Sequence, residues 1–415
     1  MSVTSNSERM AALSLLNSAA VRERAGEVLT GGIDGRLEHF EIDLDKLDAI
    51  AESVSQLIRT NYPDLAVPFH ARWRHFTLAG VDLWAARAGA TQWTNDAARA
   101  RTAFDLAIVS VLLDAGAGPS WRYRDQATGA VVSRSEGLGI ASLRMFEKGL
   151  FSVDPSDPLR VDASCLIVLQ TNDVAAAMQV GDSNPLVGLE GRVSMLNRLG
   201  ETVSNNPAVF ARNDSARPGG LYDYLITTSE HGKISAPAIL EALLLHLGPI
   251  WPGRLSLGGV ALGDTWRLPL LKRAGPTDGL MPLHKLSQWL SYSLIEPLQW
   301  SGLEVIDIDR LTGLAEYRNG GLFVDAGVIR LRNPSAASQP NPVDSALVVE
   351  WRALTVALLD RIAGLIRAKL GVSADQFPLA RVLEGGTWLM GRKLARERRA
   401  DGGPPIRVVS DGTVF

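Results

Sequence analysis

One cysteine stands in a chain of 415 residues, so no disulfide can close within it, and a reducing cytosol is the expected setting. Cys165 lies in the apolar run ASCLIVLQ (163 to 170), where a buried, inert thiol is expected rather than a nucleophile. An excess of positive charge is also missing. Lys and Arg number 42 against 45 Asp and Glu, a net charge of −3, which excludes a global basic field for nucleic acid or an anionic membrane and leaves room for a locally basic pocket. A membrane span needs roughly 18 uncharged apolar residues in a row. The nearest approach, ALVVEWRALTVALLDRIAGLI, is interrupted by Glu350, Arg352, Asp360 and Arg361. The N-terminal stretch has no basic start, apolar middle and small-residue cleavage site, so a secretory leader is not expected and a cytoplasmic protein is.

Familiar catalytic signatures are absent too. GxxxxGK[ST], GxSxG, HExxH and CxxC do not occur, and EGGTWLMGRK (384 to 393) carries Arg392 where a phosphate loop has its lysine. His70 and His75 alternate with Arg72 and Arg74 in HARWRHF, whose charges disfavour a nearby cation. The expectation is chemistry without metal or cofactor.

What is present is a large apolar complement, 46% of residues, arranged mostly with helical period. The N-terminal stretch predicts an amphipathic helix capped by Asn6 or Ser7. Further helices are predicted over 43–63, 97–115, 134–149, 185–205, 235–247, 284–300, 344–370 and 378–400. FEIDL (40 to 44), GAVVSRS (129 to 135), LEVIDID (303 to 309) and GLFVDAGVIRLR (321 to 332) read as short strands. The fold class is therefore mainly α with short β-hairpins. One domain over 1–415 is expected, with a soft seam near 213–220 in the loop NDSARPGGLYD between an N-terminal helical part and a C-terminal pocket-forming part.

The stretch HKLSQWLSYSLIEPLQW (284 to 300) carries two stripes of opposite character. Leu286, Leu290, Leu294 and Leu298 recur at steps of four, and so do His284, Gln288, Tyr292 and Glu296. Solvent faces in this chain are written with Arg, Lys and Asp, as in RKLARERRAD. A row of His, Gln, Tyr and Glu beside Trp289 reads instead as a pocket lining. In the 344–370 helix two apolar stripes leave Glu350 and Arg352 little surface, so they are either paired interior charges or substrate contacts. Asn319-Gly320-Gly321 is a turn signal with Glu316, Tyr317, Arg318 and Asp325 around it. Asp264 stands near Trp266, an aromatic wall able to tune a carboxylate.

The segments VPFHARWRHF, LLDAGAGPSWRYRD, RSEGLGIASLRMFEKGLFS, NPLVGLEGRVSMLNRLGE, LTGLAEYRNGGLFVDAGV, LEGGTWLMGRK and SDGTVF resemble the uracil catabolism protein four family over nearly the whole chain. The resemblance implies a uracil-degrading route in which uracil becomes uridine monophosphate, a pathway partner similar to GTP cyclohydrolase II opens the ring, and a ribosylurea-type compound is split to release urea. The motif order is also distantly similar to that of the queuosine salvage family, helical N-glycosidases resembling DNA glycosylases, which implies a helical, DNA-glycosylase-like architecture. By position Asp114, Trp121, Asp264, Trp266, Tyr292, Glu350 and Arg352 fall on that family's residues. Where it has its catalytic aspartate this chain has Ser291, and a nearby glutamine is replaced by Glu296.

Together these readings imply hydrolysis of an N-glycosidic bond in a small ribosyl or nucleotide-derived substrate, with neither nucleic acid nor membrane as partner. Positive charge builds at the anomeric carbon, so a carboxylate must stabilise it or activate water. Glu296, Asp264 and Asp325 are the candidates. Tyr292, Trp289, His284, Glu350, Arg352, Asp114, Trp121 and Trp266 are expected around the substrate. A 5′-phosphate would fall to Lys285, Arg318 or Arg392, the last near a helix start at Gly385-Gly386. A non-catalytic nucleotide-binding accessory protein of the same route is the alternative, and a nucleic-acid glycosylase a third reading.

Overall fold

Apolar residues at helical spacing cover most of the chain, and the computed structural model, which describes residues 3–212, 215–251 and 254–409, is mainly α with strands of two or three residues. Most strand pairs are local antiparallel hairpins, such as Thr265–Arg267 with Leu280–Pro282. Phe40–Ile42 instead reaches Ile329–Leu331, and Lys233–Ser235 pairs in parallel with Glu304–Ile306. Residues 213–214 of the expected seam and 410–415, which hold SDGTVF, lie outside the described residues.

Two compact units form, each from separated stretches of chain. The first takes residues 3–70, 254–288 and 307–409 of those described. In it the buried helix Ala346–Leu370 packs on Ser18–Ile33 and Leu47–Asn61, and Tyr317–Asp325 packs on Trp388–Arg398. The second takes 71–212, 215–251 and 289–306, with Ala163–Val168 against Leu189–Ser204 and Asp96–Leu112 against Arg134–Glu147 and Gly220–Thr228. The helix Lys285–Trp300 contributes its first turn to the first unit and the remainder to the second.

Several elements depart from the sequence reading. The N-terminal helix is two, Val3–Leu13 and Ser18–Ile33, because the Asn17 side chain accepts from the Ala20 N–H at 2.8 Å and starts a new helix there. Asn319-Gly320-Gly321 is no turn. It lies inside Tyr317–Asp325, a helix capped by the Glu316 carboxylate, and Gly320 is needed because a Cβ there would sit 2.8 Å from Trp351 Nε1. Gly385-Gly386 is no helix start either. Both belong to a π-helical turn, Leu383–Thr387, running into Trp388–Arg398, so their N–H groups do not form the anion site expected beside Arg392. Cys165 is half-buried, not buried, and burial pushes its thiol above the ordinary value.

Candidate functional site

Asp264 follows the Gly263 bend and precedes Thr265–Arg267, and the hairpin with Leu280–Pro282 brings the start of the Lys285–Trp300 helix back to it. Its carbonyl accepts from the N–H groups of Leu283 and His284. Its carboxylate accepts the Lys285 N–H at 2.9 Å, the Trp266 indole at 2.6 Å, and a two-pronged contact from Arg352 at 2.8 and 2.7 Å. Burial opposes charge on Asp264, but the Arg352 guanidinium and these hydrogen bonds outweigh it and hold the carboxyl well below the usual carboxylate range. Asp264 is thus ionised, with both oxygens engaged. Arg254 lies over the other part of this wall, its guanidinium 4.6 Å from the Trp266 ring centre.

The third nitrogen of Arg352 reaches the opposite way. Its Nε donates to the Ala315 carbonyl at 3.2 Å, while the Gln288 side-chain oxygen accepts the Thr312 N–H at 3.3 Å, so the 311–316 loop is clasped at two points. Glu316 closes that loop, accepting the N–H groups of Arg318 and Asn319 at 2.6 Å each. Burial pushes the Glu316 carboxyl above its ordinary value, against those two hydrogen bonds and the charges of Lys285 and Arg318. One guanidinium therefore joins the Asp264 carboxylate to the backbone of the loop that ends at Glu316.

His284 stands just ahead of its helix at φ +48°, a left-handed conformation that costs a non-glycine residue energy. Its Nε2 lies 2.9 Å from the Leu15 carbonyl, which can only accept, so Nε2 carries the proton and Nδ1 the lone pair. Nδ1 meets no protein partner among the described residues, and burial pushes the imidazole below its ordinary range, keeping it neutral.

Other expected residues are placed elsewhere. Asp325 gives both oxygens to Arg399, at 2.7 and 2.6 Å. Glu350 accepts the backbone N–H groups of Glu38 and His39 at 3.2 and 3.1 Å and so fixes the chain ahead of the Phe40–Ile42 strand. Arg318 donates to the Gly402 carbonyl at 2.7 Å.

In the second unit Asp114 and Trp289 meet the fully buried Arg72, whose guanidinium lies 3.0 Å from the Asp114 carboxylate and 5.5 Å from the Trp289 ring centre. Tyr292 is buried, and Glu296 pairs with Arg74 at 2.8 Å. Trp121 is fully buried, and its indole donates to the Met178 carbonyl at 3.0 Å. The sequence assigns Arg72 no site role, and it places Gln288 in a pocket-lining row and Glu316 beside a turn without giving either a part in the chemistry. Arg72 shows in the sequence only as a charge between histidines, and Glu316 only as a neighbour of a misread turn.

These features define a mainly α protein with a buried polar site centred on an Asp–Arg pair. The chain belongs to the family DUF1688, described as a protein of unknown function, which matches residues 14–415. It is 37% identical to Protein urg3 of Schizosaccharomyces pombe over 411 residues, 97% of this chain and 98% of that one. It is 36% identical to Uracil catabolism protein 4 of Lachancea kluyveri over 417 residues, 92% of this chain and 93% of that one. The resemblance drawn from the motifs to the uracil catabolism protein four family is borne out. Among the described residues no helix is long and apolar enough to cross a membrane.

Proposed function

We propose that this chain acts in uracil degradation as a hydrolase of N-glycosidic bonds, splitting ribosylurea or ribosylurea 5′-phosphate into urea and ribose or its phosphate. The name of the Lachancea relative supports the route. The observation that carries the reaction is the buried polar cluster in the first unit, where Asp264 pairs with Arg352, Arg352 Nε holds the Ala315 carbonyl beside Glu316, and Asp264 accepts the Lys285 N–H. Two carboxyl groups pushed apart in acidity within one buried site are the usual means of running acid–base chemistry near neutral pH. Asp264, with both oxygens engaged, holds the cluster in place and takes no proton.

A second reading has its own support. Asp264, Asp325, Glu350 and Glu296 all contact arginines or backbone N–H groups, as a non-catalytic nucleotide-binding accessory protein would have them. Purified protein is incubated with each ribosylurea substrate and urea is measured. Accumulating urea supports the hydrolase. Binding by calorimetry without any urea moves the assignment to the accessory protein.

A further inference from the structure

We propose that a groove between the end of the Leu47–Asn61 helix and the Trp388–Arg398 helix, both in the first unit, binds a small phosphomonoester. Gly386, in the π-helical turn ahead of Trp388, sets the spacing. A Cβ there would come within 2.7 Å of Val54 and 3.0 Å of Ile58, so the missing side chain lets the two segments approach. Gly391 seats the far side of Trp388–Arg398 on the Arg318 carbonyl. Helical spacing then turns Arg392, Lys393 and Arg396 toward the groove, whose lining also includes Leu57, Asn61 and Glu397. Its volume of about 440 Å³ falls within the roughly 300–1,000 Å³ of small-ligand sites.

The charge of this lining sets it apart. Elsewhere in the unit cations meet carboxylates: Arg399 meets Asp325, Arg352 meets Asp264, Arg367 meets Asp309, and Lys369 meets Asp48 and Glu52. Lys393 and Arg396 are exposed and take part in no ion pair among the described residues. The guanidinium of Arg392 lies 5.5 Å from the Trp388 ring centre, which steadies it. Against these three cations the lining sets one acid, Glu397. Fold stability does not explain the arrangement. Arg392 and Arg396 stand one helical turn apart, where like charges repel. Cations in the last turn of a helix complement its dipole, which accounts for Arg396, but Arg392 and Lys393 lie before that turn. The end of Leu47–Asn61 offsets only roughly half a charge, so the lining stays positive.

A phosphomonoester matches each of these features. Its phosphate carries about two negative charges and three strong acceptor oxygens near neutral pH. Arg392 suits a two-pronged contact with such a group, and Lys393 and Arg396 add charge-assisted hydrogen bonds. Asn61 both donates and accepts, as sugar hydroxyls require, and Leu57 gives an apolar flank. None of these residues belongs to the cluster around Asp264, so the site is independent of the hydrolase reading.

The test is calorimetric titration of the full chain with ribose 5-phosphate, adenosine 5′-monophosphate, ribose and inorganic phosphate. Lys393→Gln and Arg396→Gln are compared with Arg398→Gln, which removes the same charge from the same helix outside the groove. All three side chains are exposed, so equal melting temperatures are expected and check that folding is intact. The expected result is binding of at least one of the two esters, with ribose and inorganic phosphate at least about tenfold weaker. Lys393→Gln and Arg396→Gln should each weaken the ester by roughly tenfold, and Arg398→Gln by less than about twofold. Tighter binding of the nucleotide assigns the site to nucleotides, and tighter binding of ribose 5-phosphate to sugar phosphates. No binding of either ester, inorganic phosphate binding as tightly as the esters, affinity kept in both groove variants, or equal loss in Arg398→Gln overturns the proposal.

Discussion

At the scale of residues, the charges in this protein do different work according to their neighbours. Asp264 and Arg352 are buried and satisfy each other, so removing either strands a buried charge. Arg352→Met is expected to lower stability by about 3–5 kcal/mol, measured by chemical denaturation at neutral pH. The acidity shifts predict pH dependence of opposite sign. Asp264 binds its proton more weakly folded than unfolded, so its contribution is present at neutral pH and is lost as pH falls from about 4 through the folded value. Asp264→Asn should lose that acid-side segment of the stability curve while starting from a lower neutral plateau. Glu350, raised chiefly by burial, binds its proton more tightly when folded. Its contribution is full below the unfolded value and declines as pH climbs through the folded one, a decline that Glu350→Gln should abolish. The residue types were plain in the sequence and their pairing was not. Glu350 and Arg352 read as paired interior charges or as substrate contacts; one holds the N–H groups of Glu38 and His39 and the other holds Asp264.

Elements were more legible, because helical period is a local property. The helices Asp96–Leu112, Ala236–Leu247 and Ala346–Leu370 lie close to where their apolar spacing puts them. Exceptions arise where a distant group supplies what the local sequence lacks. Pro297 inside Lys285–Trp300 has no N–H for the Ser293 carbonyl, and the Trp73 indole donates to that carbonyl instead, at 2.7 Å. Trp73→Phe should therefore cost about 1–3 kcal/mol for the unpaired carbonyl, beyond any packing loss, in urea denaturation. Glycines inside helices divide in the same way. A Cβ on Gly391 would stand within 2.2 Å of the Arg318 carbonyl oxygen, whereas one on Gly364 meets nothing within 4 Å. Gly391→Ala should destabilise by about 1–3 kcal/mol through overpacking, and Gly364→Ala should stabilise by about 0.4–1 kcal/mol through helix propensity. Opposite movements of the two melting temperatures check the pair.

For the whole molecule, the near balance of 42 cationic and 45 anionic residues bears on partners. Nucleic acid is held mainly through phosphates, and a chain with a net charge of −3 has no field to gather them. Fluorescence polarisation of labelled single-stranded DNA should stay flat on titration with the protein even at low salt; a salt-sensitive rise would revive the nucleic-acid glycosylase reading. Composition, helical period and long family motifs depend only on residue order, so the sequence by itself determined the mainly α class and the family. The tertiary structure alone decided which carboxylate is locked, which is pushed toward its acid form and which glycines are obligatory. Those properties belong to contacts between residues far apart in the chain, as when Arg352 meets Asp264 or Gly391 meets Arg318, and no local pattern encodes a partner at that distance.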